Sequence, residues 1–102
     1  MYYSRVFNRQ TGELLGHLID ITPGGAMIIS DVPIPLNQLF RLRMDVPEKI
    51  IEKAALDFEA RSVWCDRDVN PDFFDTGFQM VNITPEDSAV IEQMIDDYGF
   101  RE

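Results

Sequence analysis

The residues best equipped for chemistry in this chain fall in one short run, Asp20-Ile21-Thr22-Pro23-Gly24-Gly25. Glycine supplies the positive φ angles that sharp turns often need, and it leaves backbone N–H groups uncovered for close approach. Asp and Thr either bond back into such a turn or point outward to a guest. On local pattern alone the commoner use of these residues is structural. The alternative is a small polar clamp, in which a carboxylate, a hydroxyl and bare N–H groups hold the polar edge of a ligand.

A clamp for an anion also needs cations, and the charge is unevenly spread. The chain has 102 residues and a formal net charge of −9. Asp66 to Glu102 holds ten acids and two bases, whereas the first 65 residues hold eight acids and seven bases. An anion site therefore belongs near Arg5, Arg9, Arg41, Arg43 or Arg61. Each of these, taken singly, reads as a solvated surface charge. The overall acidity argues against nucleic-acid binding, which calls for a basic footprint.

Other chemistry is poorly supported. His17 is the only histidine, lies in a strand-like run and has no nucleophile beside it in sequence. Cys65, the only cysteine, reads as a small core or edge residue, and no Cys/His spacing suits zinc. Asp66-Arg67-Asp68-Val69-Asn70 alternates oxygen ligands but lacks the glycine and distal glutamate of a calcium loop. There is no phosphate-binding glycine loop or dinucleotide fingerprint. The expectation is a non-enzymatic protein that needs no cofactor and no metal. No apolar run reaches membrane-spanning length and no secretory leader is evident, so no membrane insertion is expected. A single cysteine points to a reducing, cytoplasmic setting. The length suits one domain, 1–102.

Strands come first and one helix last. Tyr2 to Phe7 is β-prone, followed by a polar hairpin around Gly12. Leu14 to Ile21 and Ala26 to Ser30 flank the glycine-rich turn. Asp31 to Leu36, with two prolines, is a loop. Gln38 to Val46 alternates, with Phe40, Leu42, Met44 and Val46 on one face. Glu48 to Ala55 reads as either loop or short helix. Leu56 to Cys65 begins with Leu56, Phe58 and Ala60 inward, then switches to Val63 and Cys65, predicting a bulge near Arg61-Ser62. Asp66 to Asp72 is a polar turn. Phe73 to Ile83 is the last strand, and Gly77 inside it marks a close backbone approach or a bend. Thr84 is a helix N-cap with Pro85 at the first helical position. Val90, Ile91, Met94, Ile95 and Tyr98 form an apolar stripe, and Gly99 is the stop. The predicted fold is mainly β, a six-stranded antiparallel barrel with a C-terminal α-helix.

Arg5 and Arg9 spaced as RxxxR, the Asp20 to Gly25 turn, Gly77-Phe78 in the last strand and the terminal helix together resemble the PilZ domain, a bacterial receptor for cyclic di-GMP. The likeness covers essentially the whole chain, with Thr22 where the family's [D/N]xSxxG turn carries Ser. It implies cyclic di-GMP as ligand, with Asp20, Thr22, Gly24, Gly25, Arg5 and Arg9 as ligand-binding residues. A carboxylate such as Asp20 accepts from the guanine N1–H and amino group; arginine pairs with phosphate or with the guanine O6/N7 edge.

One departure stands out. In the family the arginine pair precedes the first strand, whereas Arg5 falls within it here and Arg9 in the hairpin. The local RxxxR match is therefore read as accidental. Either a basic leader precedes Tyr2 in the intact protein, or the chain is a degenerate PilZ domain. Both readings predict weak or undetectable nucleotide binding by these 102 residues. The alternative function is a PilZ-like module that contacts a protein partner, without nucleotide, through its acidic face or terminal helix. Oligomeric state leaves no trace in the sequence.

Overall fold

Alternation of apolar and polar side chains builds six strands, and closure leaves none of them at an edge. In the computed structural model, which describes residues 4–45 and 55–98, the strands are β1 (Arg5–Asn8), β2 (Leu14–Thr22), β3 (Gly25–Ser30), β4 (Leu39–Asp45), β5 (Ala55–Arg67) and β6 (Phe74–Val81), followed by α1 (Pro85–Tyr98). They form a closed antiparallel barrel in the order β1-β2-β3-β6-β5-β4. Closure removes the unpaired N–H and C=O rows that an open sheet would expose.

The interior is filled from every strand: Val6, Leu18, Ile21, Ala26, Ile28, Leu42, Met44, Leu56, Phe58, Ala60 and Phe78 are buried. Phe40 meets Phe78 edge to face at 5.7 Å, a geometry that adds roughly 0.5–1.5 kcal/mol beyond burial. Ile34, from the β3–β4 loop, joins the same core. Thr84 caps α1 as expected, its Oγ1 accepting the Asp87 N–H at 3.1 Å. Ile91, Met94 and Ile95 are buried in the barrel's own core cluster, and α1 packs against β2. Side chains already enclosed by a closed barrel can be met only through its open end, so the helix acts as a lid. Tyr2 and Tyr3 of the predicted first strand, Val46, the Glu48 to Ala54 part of the ambiguous segment and Gly99 lie outside the described residues, as does the side chain of Tyr98.

Two bulges set which residues face outward. In β2, Leu18 pairs with Ile28 but Asp20 pairs with Met27, so Ile19 is the extra residue. Without it Asp20 would follow Gly16 and Leu18 into the core. With it, Ile21 is buried and Asp20 is exposed. In β5 the inward run continues through Ser62, and the register shifts between Ser62 and Trp64. The predicted bulge exists but sits at Val63, not at Arg61-Ser62. Val63 is 42% exposed rather than inward. Ser62 stays inside because its hydroxyl donates to the Pro35 carbonyl at 2.6 Å and accepts the Gln38 N–H at 3.2 Å, which satisfies a buried polar group.

Candidate functional site

The Asp20 to Gly25 segment is the β2–β3 connection, and much of its polar chemistry is turned inward. Thr22 Oγ1 accepts the N–H groups of Gly24 and Gly25, both at 3.2 Å. Asp20 Oδ1 accepts the Ile21 N–H at 2.9 Å. Asp20 itself is exposed, and its second oxygen has no partner among the described residues. Neither turn glycine has a positive φ; among the described glycines only Gly12, at +77°, does. What requires glycine at position 25 is space: a Cβ there would lie 2.5 Å from the Phe78 carbonyl oxygen. At Gly24 the nearest atom to such a Cβ is Thr22 Oγ1 at 3.8 Å, so that position is open.

The turn does not stand alone on its wall. Cross-strand pairing sets Asp20, Met27, Gly77 and Trp64 in one row over β2, β3, β6 and β5. Their neighbours in register face inward, so this row is on the outer surface. The next outward row is Thr22, Gly25, Gln79, Arg61 and Leu39. Gly77 answers the sequence-level choice between a bend and a close approach: the Trp64 indole lies over it, and a Cβ at Gly77 would come 2.1 Å from Nε1. Trp64 is thus laid along the wall toward β3 while staying 40% exposed. Asp20, Ile21, Thr22, Gly25, Ala26, Met27 and Trp64 line a shallow cavity of about 250 Å³. An acid, a hydroxyl and an aromatic face converge there, which suits a flat ring with donors on its edge.

The predicted arginines are on other ground. Arg5 is held toward β4 by Asp45 at 2.7 Å. Arg43 pairs with Asp57 at 2.8 Å and Arg9 reaches the same carboxylate at 3.8 Å. The Asp57 hydrogen bond, followed by its charge, raises the pKa of Arg43 above the ordinary guanidinium value. Arg41 lies 3.8 Å from Glu59. Arg9 also sits beyond the Leu14 end of β2, whereas Asp20 sits near the other end. Six residues of strand separate Leu14 from Asp20, roughly 20 Å at about 3.3 Å each. A second cavity, about 480 Å³, is lined by Phe7, Asn8, Arg9, Gly12 and Arg43, but Asp57 already counters both of its arginines. The structure therefore groups Asp20, Thr22, Gly24 and Gly25 and leaves Arg5 and Arg9 apart from them.

The sequence pattern of the PilZ domain matches residues 2–97. The chain belongs to the PilZ domain family. That is a family of cyclic di-GMP receptors whose members are, as a rule, not enzymes. Two solved structures share the PilZ fold seen here. One is the Bacillus subtilis inhibitor of motility, MotI/DgrA, with a TM-score of 0.71 and 15% identity over 98% of this chain and 47% of that one. The other is K. pneumonia MrkH in its apo state, with a TM-score of 0.69 and 16% identity over 93% of this chain and 45% of that one. The chain thus spans a little under half the length of each. No curated protein sequence matches it.

Within the PilZ fold, the remaining sequence candidates are structural. Cys65 is half-buried, and its Sγ accepts the Thr76 hydroxyl at 3.3 Å. Asp68 and Asn70 cap local turns, accepting the N–H groups of Asn70 and Asp72 at 3.0 and 3.1 Å. Among the described residues no cluster of His, Cys, Asp or Glu could hold a metal, and no helix is long and apolar enough to cross a membrane. Asp75 differs from its neighbours. Burial first, then the nearby Asp68 and Asp66 carboxylates, push its carboxyl up to about 6. Its Oδ1 is buried without a hydrogen-bond partner among the described residues. The sequence passed over Trp64 as a site residue. Its outward position after a bulge and its alignment with a strand glycine become visible only once the register is known.

Proposed function

We propose that this PilZ domain is a cyclic di-GMP receptor whose nucleotide lies against the outer wall between the Asp20 to Gly25 turn and Trp64. The observation that carries this reading is the row Asp20–Met27–Gly77–Trp64, which puts a guanine-accepting carboxylate and an exposed indole on either side of one cavity. Asp20 accepts from the guanine edge and Trp64 offers a stacking face. With Thr22 committed to Gly24 and Gly25, its hydroxyl shapes the turn more than it grips the ligand. Because Arg5 and Arg9 are paired elsewhere, affinity is weak.

Trp64 is the only tryptophan, so its fluorescence reads the site directly. Titrating cyclic di-GMP into the chain should change the emission saturably. Asp20→Ala should shift the midpoint at least about tenfold, the usual cost of losing a charged hydrogen bond. Unchanged emission at millimolar nucleotide would sink the reading.

The paired arginines and the inward-turned Thr22 also favour a second reading, a PilZ-like module that contacts a protein through its acidic surface. Under that reading, charge swaps between Asp66 and Asp75 disrupt a pull-down while Asp20→Ala leaves it intact. The opposite pattern removes it.

A further inference from the structure

We propose that Arg61 is the cationic grip this chain itself presents to the nucleotide, in the role the sequence offered to Arg5 and Arg9. The inference rests on the reading of the outer wall as the cyclic di-GMP site.

Placement is the first argument. Arg61 pairs across β5 and β6 with Gln79, and Gln79 pairs across β6 and β3 with Gly25. Two strand spacings, about 10 Å between Cα positions, separate Arg61 from the turn. Ala60 and Ser62 on either side of it are buried, so Arg61 points outward, onto the face that carries Asp20, Thr22 and Trp64. The Val63 bulge then brings Trp64 onto the same face three residues later. Gly25 adds no side chain at the turn end of the Arg61 row, and the residue between Gly25 and Arg61 is Gln79.

Availability is the second. Arg5, Arg9, Arg41 and Arg43 all sit within 4.0 Å of a carboxylate. Arg67 donates to the Pro71 carbonyl at 3.0 Å and lies over the Phe74 ring. Among the described residues, Arg61 has neither an ion pair nor a hydrogen bond from its side chain. On so acidic a chain, an arginine with no carboxylate within 4.0 Å among the described residues and beside a carboxylate-and-indole cavity is suited to an incoming phosphate or to the O6/N7 edge of a second guanine. Asp20 and Arg61 would then read opposite ends of the ligand: one accepts from base N–H groups and the other donates to anionic or carbonyl oxygens.

The test is calorimetry and Trp64 fluorescence with cyclic di-GMP on the chain and on Asp20→Ala, Arg61→Ala, Arg61→Lys and Arg9→Ala, with thermal melts of each. Arg61 is exposed, so its variants should melt like the parent. Arg61→Ala should weaken binding about 10- to 100-fold and flatten its salt dependence; Arg61→Lys should fall between the two; Arg9→Ala should change affinity less than about twofold. If Asp20→Ala weakens binding but Arg61→Ala stays within twofold of the parent, the role of Arg61 is refuted and the site stands. If the parent neither releases heat nor changes emission at millimolar nucleotide, the site is refuted and Arg61 with it.

Discussion

Two walls of one barrel handle arginine in opposite ways. On the β1–β4–β5 wall, four arginines stand among Asp45, Asp57 and Glu59 and are neutralised in place. On the β2–β3–β6–β5 wall, Arg67 is turned to the Pro71 carbonyl and the Phe74 ring, while Arg61 has no carboxylate within 4.0 Å among the described residues and stands next to a carboxylate turn and an indole. The richer wall has the larger cavity and the better-looking motif, yet its positive charge is already spent on its own acids. In the proposed reading, availability of charge, not its count, sets the two walls apart. Exposed pairs of this kind contribute little to stability; their effect on a ligand is that the neighbouring carboxylates lower the positive potential it would meet on that wall.

The comparison breaks most visibly at Gly25. Gly25→Ala forces a Cβ against the Phe78 carbonyl and should cost about 2–3 kcal/mol in chemical denaturation, whereas Gly24→Ala, with open space, should cost under about 0.5 kcal/mol. Equal costs would mean that conformation rather than packing selects both glycines. The next effect is on binding alone. Trp64→Ala should weaken cyclic di-GMP roughly tenfold or more by calorimetry, the usual scale for a lost stacking face, with little loss of fold because the indole is partly exposed. On the opposite wall, the double change Arg9→Ala and Arg43→Ala should alter affinity less than about twofold, since these groups answer to Asp57. A large loss there would move the ligand to the other wall.

The smallest expected effect is a pH dependence. The carboxyl of Asp75, raised to about 6, favours folding while protonated. That stability is fully present below the ordinary carboxylate pKa and is lost as pH rises through about 6. Asp68, lowered chiefly by the Asn70 N–H, acts in the reverse sense and in a lower window, its contribution fading as pH falls. Asp75→Asn should therefore gain on the parent chain between pH 4 and 7, seen as a flatter plot of melting temperature against pH. A parallel plot would show that Asp75 titrates normally.

Much of the barrel was legible from alternation, because Phe40, Leu42 and Met44 or Leu56, Phe58 and Ala60 obey a strict period of two. The helix was legible because Thr84, Pro85 and the Ile91, Met94, Ile95 stripe each carry a local signal. The turn was found as a segment, but its inner workings were not: the sequence suggested positive φ where the structure needs room beside Phe78. Trp64, Arg61 and Gly77 form a surface only through strand pairing, and no local pattern in β5 reports what β6 and β3 place opposite. The β5 bulge was placed too early because Val63 and Cys65 were read as continuing the inward set, whereas Ser62 is the buried residue. Its two hydrogen bonds to the Pro35–Gln38 loop, which keep it inside, are contacts across 24 and 27 residues.

The extra residue in β2 has a consequence for comparing relatives. Because Ile19 changes the parity of its strand, Leu18 and Asp20 have different addresses although they are two apart. A relative lacking that one residue would align almost perfectly by eye and still send its acid into the core. Sequences of this kind should therefore be lined up by phase on each side of the inserted residue, with the gap treated as information about which side chains meet the solvent.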